Sequence, residues 1–469
     1  MKIKIQLLVA LFCGATPVFA QAPTGWKYAK EIEKKIISPT FPKRTYNVLD
    51  FGAKSDGVFD SRQAINQSIT RCSNEGGGRV VVPAGRFFVK GPIQFKSNVN
   101  LHLSEGSEII FSADENDYLP VVLTKWEGTE LFNYSPLIYA YHIENIAITG
   151  KGTLNGQGSK NMVQWKYKQI KDQNTLRTMG RNGVAVNERL FGAGHILRPA
   201  FIEPFGCRNI LIEDVKIVDA TFWVIHPIYC HNVTVRRVTI DSFNFNSDGC
   251  DPESSTYILV ENCHFKTGDD GIAIKSGRDN DGWRVGQPTE NMIVRNCSFE
   301  TLANGVCIGS EISGGVRNIF IENITIPITN NGIYFKSNRD RGGYIENVWV
   351  RNVKIDSIRK TVIKFDTDYK SEDTQNNRTI FRNFVIENLT CNFAEVWGVE
   401  VVGFDDLPVR NVALRNINVK NTPQSMLLKN TEDVKLDNVV INGRKMSLDD
   451  PTIYTGTPNL RVRKVKREN

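Results

Sequence analysis

Two short strings hold the carboxylates best placed for chemistry. One reads Asn246-Ser247-Asp248-Gly249-Cys250-Asp251-Pro252-Glu253, and the other Gly268-Asp269-Asp270-Gly271. Asp248 and Asp269 are 21 residues apart (269 − 248). If one turn of the chain takes about that length, Asp248, Asp269 and Asp270 converge within several ångströms. Like charges held close push at least one pKa upward. A protonated acid then stands beside ionised partners, which is what hydrolysis of a glycosidic bond requires. Asp-Gly pairs also mark turns, and clustered carboxylates also bind calcium. The residue types alone leave these three readings open.

Other side chains are candidates for substrate contact. Phe222-Trp223-Val224-Ile225-His226-Pro227 places an indole and an imidazole roughly one turn before Asp248. Trp223 is suited to stacking on a sugar ring and His226 to hydrogen-bonding one; a lone His is as often structural. Lys275 follows the second string by one short strand, where it suits either a substrate anion or an exposed structural position. Asp279-Asn280-Asp281-Gly282 lacks the further acid of a calcium loop and predicts a turn. No C-x-x-C and no zinc spacing occurs, and no metal or cofactor is expected.

What must position these groups is read from repetition. A phrase beginning with Asn and alternating apolar with polar residues recurs, as in Asn209-Ile-Leu-Ile-Glu-Asp-Val-Lys-Ile and Asn232-Val-Thr-Val-Arg-Arg-Val-Thr-Ile. Copies follow at Tyr257, Asn291, Asn318, Asn347, Asn383, Asn411 and Asp433, with weaker ones at Asn98 and Asn145. Eight steps cover 433 − 209 = 224 residues, a mean of 28. Alternation means strands. A short all-strand repeat cannot bury its own apolar face, whereas stacked repeats can, so the sequence predicts an all-β parallel β-helix. A propeller needs about 40–45 residues per repeat and is excluded.

Bend asparagines would then stack into an amide ladder. On that reading the glycosylation-like triplets at Asn232, Asn296, Asn323 and Asn388 are structural. Asp60-Ser61-Arg62-Gln63 resembles a capping box and opens a helix over Ser61 to Cys72 that would plug the N-terminal end. Trp26 to Ile37 reads as a second short helix. Residues 158–196 interrupt the repeat with a polar, basic stretch holding Lys160, Lys166, Lys168, Lys171, Arg177 and Arg181. So long an insertion is a lid or disordered, and a lid is favoured.

The chain has 469 residues, with 58 Lys+Arg against 51 Asp+Glu and a formal charge of +7. Its composition is that of a folded protein. Lys2 and Lys4, the apolar run from Leu7 to Ala15 and Val18-Phe19-Ala20 predict a signal peptide cleaved after Ala20. Export to the periplasm or the outside follows, and removal of two lysines leaves +5. The segment is too short to span a membrane. The eight cysteines beyond it read as buried free thiols, because so long a chain needs no disulfides to build a core. The domain reading is a signal peptide (1–20), an N-terminal arm (21–44), a catalytic β-helix (45–445) and a basic tail (446–469). Neither nucleic acid nor a membrane is expected as a partner, and the chain is expected to be monomeric.

The sequence resembles the polygalacturonases, the pectin hydrolases of glycoside hydrolase family 28. Asn246-Ser247-Asp248-Gly249 matches that family's N-T-D-G motif with Thr changed to Ser, and Gly268-Asp269-Asp270 matches its G-D-D. Phe51-Gly52-Ala53, Val82-Pro83-Ala84-Gly85, Ile308-Gly309-Ser310-Glu311 and Arg341-Gly342-Gly343 also match, and the likeness runs over about residues 45–445. It implies a right-handed, single-stranded parallel β-helix and inverting hydrolysis without a cofactor. By the resemblance Asp269 is the general acid, while Asp248 and Asp270 activate a water. An inverting pair generally stands ~6.5–9.5 Å apart.

Two family positions differ. Where the family has G-H-G this chain reads Leu302-Ala303-Asn304-Gly305, and its R-x-K reads Tyr334-Phe335-Lys336. Asn304, Tyr334 and Lys336 therefore join Asn246 as substrate-binding candidates. Arg339 or Arg341 would replace the missing arginine, and Tyr369 matches a cleft tyrosine of the family. The implied substrate is an α-linked galacturonide in pectin or a related acidic plant cell-wall polysaccharide, and a 158–196 insertion folded over one end of the groove predicts attack from the chain end. A rhamnogalacturonan-type hydrolase is the nearest alternative. A calcium-dependent pectate lyase and a non-catalytic polysaccharide-binding β-helix are the rivals of another class.

Overall fold

A computed structural model describes residues 24–371, 376–449 and 453–454. The expected signal peptide and the basic run 461–467 lie outside the described residues. The alternating phrases form the strands of a right-handed parallel β-helix. Each full coil contributes to three parallel sheets, and equivalent residues stack in register. One column runs Ile210, Val233, Ile258, Met292, Ile319, Val348, Phe384, Val412 and Val434, one residue per coil. Nearly all of this column is buried. No single coil could bury it alone, so each coil depends on its neighbours.

The bends explain the asparagines. Asn209, Asn232, Asn291, Asn318 and Asn323 all have φ between 55° and 63°, a left-handed conformation that Asn adopts more readily than other non-Gly residues. Their amides join coil to coil. Asn323 donates to Asn296 at 3.0 Å, Asn352 to Asn323 at 3.0 Å and Asn388 to Asn352 at 3.1 Å. Asn232 likewise donates to Asn209 at 2.8 Å.

Helix α1 (Trp26–Lys35) buries Ala29 and Ile32 against Leu259, Ile293 and Phe320 on the outside of the solenoid. Helix α2 (Arg62–Asn74) lays Ala64, Ile65, Ile69 and Cys72 over the first coils. Only part of the expected capping box forms. The Asp60 carboxylate accepts from the Arg62 N–H at 3.0 Å, whereas the Ser61 hydroxyl is turned to the Lys54 carbonyl. Cys72, Cys207, Cys230, Cys250, Cys263, Cys297, Cys307 and Cys391 are buried and free.

A small second layer leans on one side of the solenoid. Strands Val122–Trp126 and Thr129–Asn133 form an antiparallel hairpin, and Leu190–Phe191 adds a parallel edge. Helix α3 (Ile170–Arg181) packs on this layer through Leu176. Trp126, Leu131, Leu176, Phe191, Phe222 and Trp223 make a core of their own there. The 158–196 segment is therefore folded and anchored. Arg189 reaches Asp281 at 2.6 and 3.0 Å, both side chains almost fully buried. Asp281 lies in helix α4 (Asp279–Val285), so the expected turn at 279–282 is a helix instead. Arg189 and Arg341 hold Asp281 and Asp279 from outside that helix, partners a local pattern does not reveal. No helix among the described residues is long and apolar enough to cross a membrane.

Candidate active site

The third sheet stacks Ile225, Cys250, Ile272, Val306 and Ile333. Two positions before each stand Trp223, Asp248, Asp270, Asn304 and Asn331. The spacing of the two acidic strings is thus one coil, and their side chains share one face. One oxygen from each of Asp248, Asp269 and Asp270 lies within 4.8 Å of the others. Glycines allow the coils to close this tightly. A Cβ on Gly249 would stand 2.5 Å from the Gly271 carbonyl oxygen, and one on Gly271 would stand 2.3 Å from the Phe299 ring. This spacing is tighter than the wide gap expected of an inverting pair.

The three acids sit in different surroundings. Lys336 Nζ lies 3.0 Å from Asp270, and the Asn304 amide donates to the other oxygen of that carboxylate. Asn331 in turn donates to Asn304 at 2.6 Å. Asp269 is partly open to the cavity and accepts from Asn246 at 3.0 Å. Burial, then the charge of Asp270, raises its proton affinity above that of an ordinary carboxyl. Burial, then Asp251 and Asp269, pushes Asp248 well up. Burial also lifts fully buried Asp251 to about 7, against the pull of Lys275. Lys275 Nζ stands 3.9 Å from Asp248, 3.5 Å from Asp251 and 3.6 Å from Glu311. Burial disfavours its charge, but Asp251 and Glu311 more than reverse that. The trio therefore combines a proton-retaining acid facing the cavity with a carboxylate neutralised by a lysine.

The cavity in front of them has a volume of about 230 Å³. Trp223, Asn246, Lys275, Lys336, Arg341 and Tyr369 all line it. Lys275 lies across the Trp223 ring at 4.5 Å, and Lys336 is 5.2 Å from the Tyr369 centroid. Lys275 is 3% exposed, so it is no surface lysine. Asn304 supports Asp270 from behind. Tyr334 lies beside Tyr369 and donates to Asp366 at 2.9 Å. Tyr334 itself does not line the cavity, and two further expectations fail. His226 is fully buried, 3.0 Å from Glu253 and 3.3 Å from Glu203, and no sugar can reach it. Those two carboxylates overcome burial and raise its pKa to about 9. Arg339 turns to Asp368 at 3.1 Å and does not line the cavity, whereas Arg341 does.

Several lining residues escaped the sequence reading. Glu127, at the hairpin turn, holds Arg177 at 2.6 Å and Gln173 at 3.0 Å, with Arg278 at 3.4 Å. The hairpin and the 158–196 segment thus share one part of the cavity wall. Glu127 has φ 43° and Gly128 φ 87°. This is the left-handed pair of a two-residue hairpin turn, made by Glu-Gly where the usual sequence signal is Asn-Gly or Asp-Gly. Seven cations (Lys166, Arg177, Lys275, Arg278, Lys336, Arg341, Lys370) face five carboxylates (Glu127, Asp248, Asp269, Asp270, Glu311), so the lining is net positive. A net positive wall attracts an anionic substrate.

The profile of the glycosyl hydrolases family 28 matches residues 72–437. The chain belongs to that family. Among solved structures, a hyperthermoactive exopolygalacturonase from Thermotoga maritima is 38% identical and superposes with a TM-score of 0.86, over 90% of this chain and 96% of that one. A probable polygalacturonase of Vitis vinifera is 27% identical over 67% of this chain and 61% of its own length. An exo-poly-alpha-D-galacturonosidase of Dickeya chrysanthemi is 26% identical over 74% and 62%. The matched stretch thus spans about three fifths of the length of these two relatives.

Proposed function

We propose that the chain hydrolyses an α-linked galacturonide at the end of a pectic chain, inverting the anomeric centre. The observation that carries this reading is partly open Asp269, proton-retaining, facing a net positive cavity walled in part by the 158–196 segment. Asp269 donates its proton to the leaving oxygen. Asp270, whose charge Lys336 holds, deprotonates the attacking water, and Asp248, itself pushed up by burial, orients that water beside Lys275. Tyr369 supplies a ring, Trp223, stacked on Phe222 and covered by Lys275, holds that lysine in the wall, and Arg341 takes the place of the arginine missing before Lys336. The 158–196 segment acts as a fixed lid that leaves room for a chain terminus only. Inversion rests on family membership, since the carboxylate spacing by itself does not select it. The enzyme acts as an exported monomer on acidic plant cell-wall polysaccharide.

A time course on pentagalacturonate tests the mode of attack. Early products limited to mono- or disaccharide support the reading. An early ladder of intermediate lengths refutes it. Proton NMR of the first product checks the stereochemistry, and a β-anomer is expected.

A further inference from the structure

The column that holds Asp270 continues beyond the acids. Asn304, Asn331 and Thr361 follow it, one per coil, and the side chains of all four are buried. The Thr361 backbone N–H donates to the Asn331 side-chain carbonyl at 3.3 Å. The Asn331 amide nitrogen donates to the Asn304 side-chain carbonyl at 2.6 Å, and the Asn304 amide nitrogen donates to Asp270. A backbone N–H can only donate. It therefore fixes Asn331 with its oxygen toward Thr361 and its nitrogen toward Asn304, and Asn331 fixes Asn304 in the same sense. Turned over, Asn304 would set its carbonyl against the Asp270 carboxylate and its NH₂ against that of Asn331, leaving buried acceptors and donors unmatched. The corner ladders have the same polarity. Asn323 donates to Asn296 and Asn352 to Asn323, each later coil to the earlier one. In this column the acceptor end is a carboxylate of the catalytic trio.

We infer that Asn331, acting through Asn304, is a positioning residue for the base of the reaction, the end of an amide relay anchored on the Thr361 backbone. Neither asparagine lines the cavity, so neither touches the substrate. Hydrogen bonds in a chain that runs one way polarise one another, and the last of these bonds falls on Asp270. Lys336 holds the other oxygen at 3.0 Å. Each carboxylate oxygen thus has one fixed donor, which sets the plane of the group, and keeps a further lone pair for the water. Without Asn331 nothing tells the Asn304 amide which way to face, and the carboxylate keeps only the lysine. The inference rests on Asp270 being the base, as in the reading above.

The test uses trigalacturonate and the full-length enzyme. Asn331→Asp keeps the size of the side chain and its acceptor toward Thr361 but removes the donor to Asn304, and Asn331→Leu removes both. In each, kcat is expected to fall about tenfold with KM changed by less than about twofold. Asn304→Leu cuts the relay at its next member. Added to that variant, either change at Asn331 is expected to lower kcat by less than about twofold more, because the two residues act along one path. Asn323→Asp makes the same exchange in an exposed corner ladder and is expected to leave kcat at the wild-type value. Circular dichroism and unfolding midpoints identify the folded variants, and the smaller Asn331→Ser stands in for any Asn331 variant that does not fold. An unchanged kcat in a folded Asn331 variant overturns the relay. So does a full, independent loss on top of Asn304→Leu, or an equal loss in Asn323→Asp, which would make the effect one of the fold. Near-full activity of Asp270→Asn refutes instead the reading of Asp270 as the base.

Discussion

Replacing Lys336 by Met probes whether the lysine is the counter-ion that keeps Asp270 usable. Its ammonium lies 3.0 Å from the carboxylate, and both side chains are nearly enclosed. At an effective dielectric of about 20 the bare attraction is roughly 332/(20 × 3.0), about 5.5 kcal/mol. Desolvation of both ions offsets much of that. Removing one partner strands the other, which typically costs about 3–5 kcal/mol. Asn304 still donates to Asp270, so the lower end, about 3 kcal/mol, is expected. Denaturant unfolding of Lys336→Met, Asp270→Asn and the double variant gives the coupling. The double variant should recover about 2 kcal/mol relative to the sum of the single losses, and should remain inactive. Lys336 also favours loss of the Asp269 proton. Any residual activity of Lys336→Met should therefore persist to higher pH on the basic limb. A coupling below about 0.5 kcal/mol would refute the counter-ion argument.

Asp269→Asn and Asp248→Asn should each lose about 10²- to 10⁴-fold in kcat with unchanged circular dichroism, since stacked Val and Ile build the core. Near-full activity in a folded variant would remove that residue from the mechanism. Activity should survive a chelator, even though three carboxylate oxygens lie close enough to bridge a cation; loss in EDTA restored by calcium, with product absorbance near 235 nm, would mean elimination. His226, raised to about 9 in the fold from about 6.5 unfolded, stabilises fully below about pH 6.5, and this stabilisation is lost as pH rises through 9. Unfolding midpoints should fall over that window in the wild type and be flatter in His226→Gln.

The coil architecture was legible because it is written in periodicity. Alternating Val and Ile fix the strands, and Asn at each bend fixes the left-handed corner. The one-coil offset of Asp248 and Asp269 was legible for the same reason. His226 was misread because a stacked sequence shows position along the coil and not what covers it. Glu203 lies one coil below and Glu253 one coil above, and the hairpin lysine Lys125 sits 2.6 Å from Glu253. The cations closing the cavity were equally hidden. Arg177 and Arg278 meet at Glu127, and nothing in their local sequences records that meeting.

The staples of the second layer have a consequence for the order in which the molecule can be completed. A solenoid can grow coil by coil from its N-terminal end as the chain is made or exported. The 158–196 segment cannot finish in that order. Arg189 waits 92 residues for Asp281, and the Arg181 carbonyl waits 99 for the Asn280 amide. Until then the three coils carrying Arg208–Glu213, His231–Arg236 and Thr256–Glu261 can stack while Arg189 lacks its buried partner. The site is thus assembled as a late event, on a scaffold already built, and a chain cut short before residue 281 would hold stacked coils without the wall that Glu311, Lys336, Arg341 and Tyr369 supply.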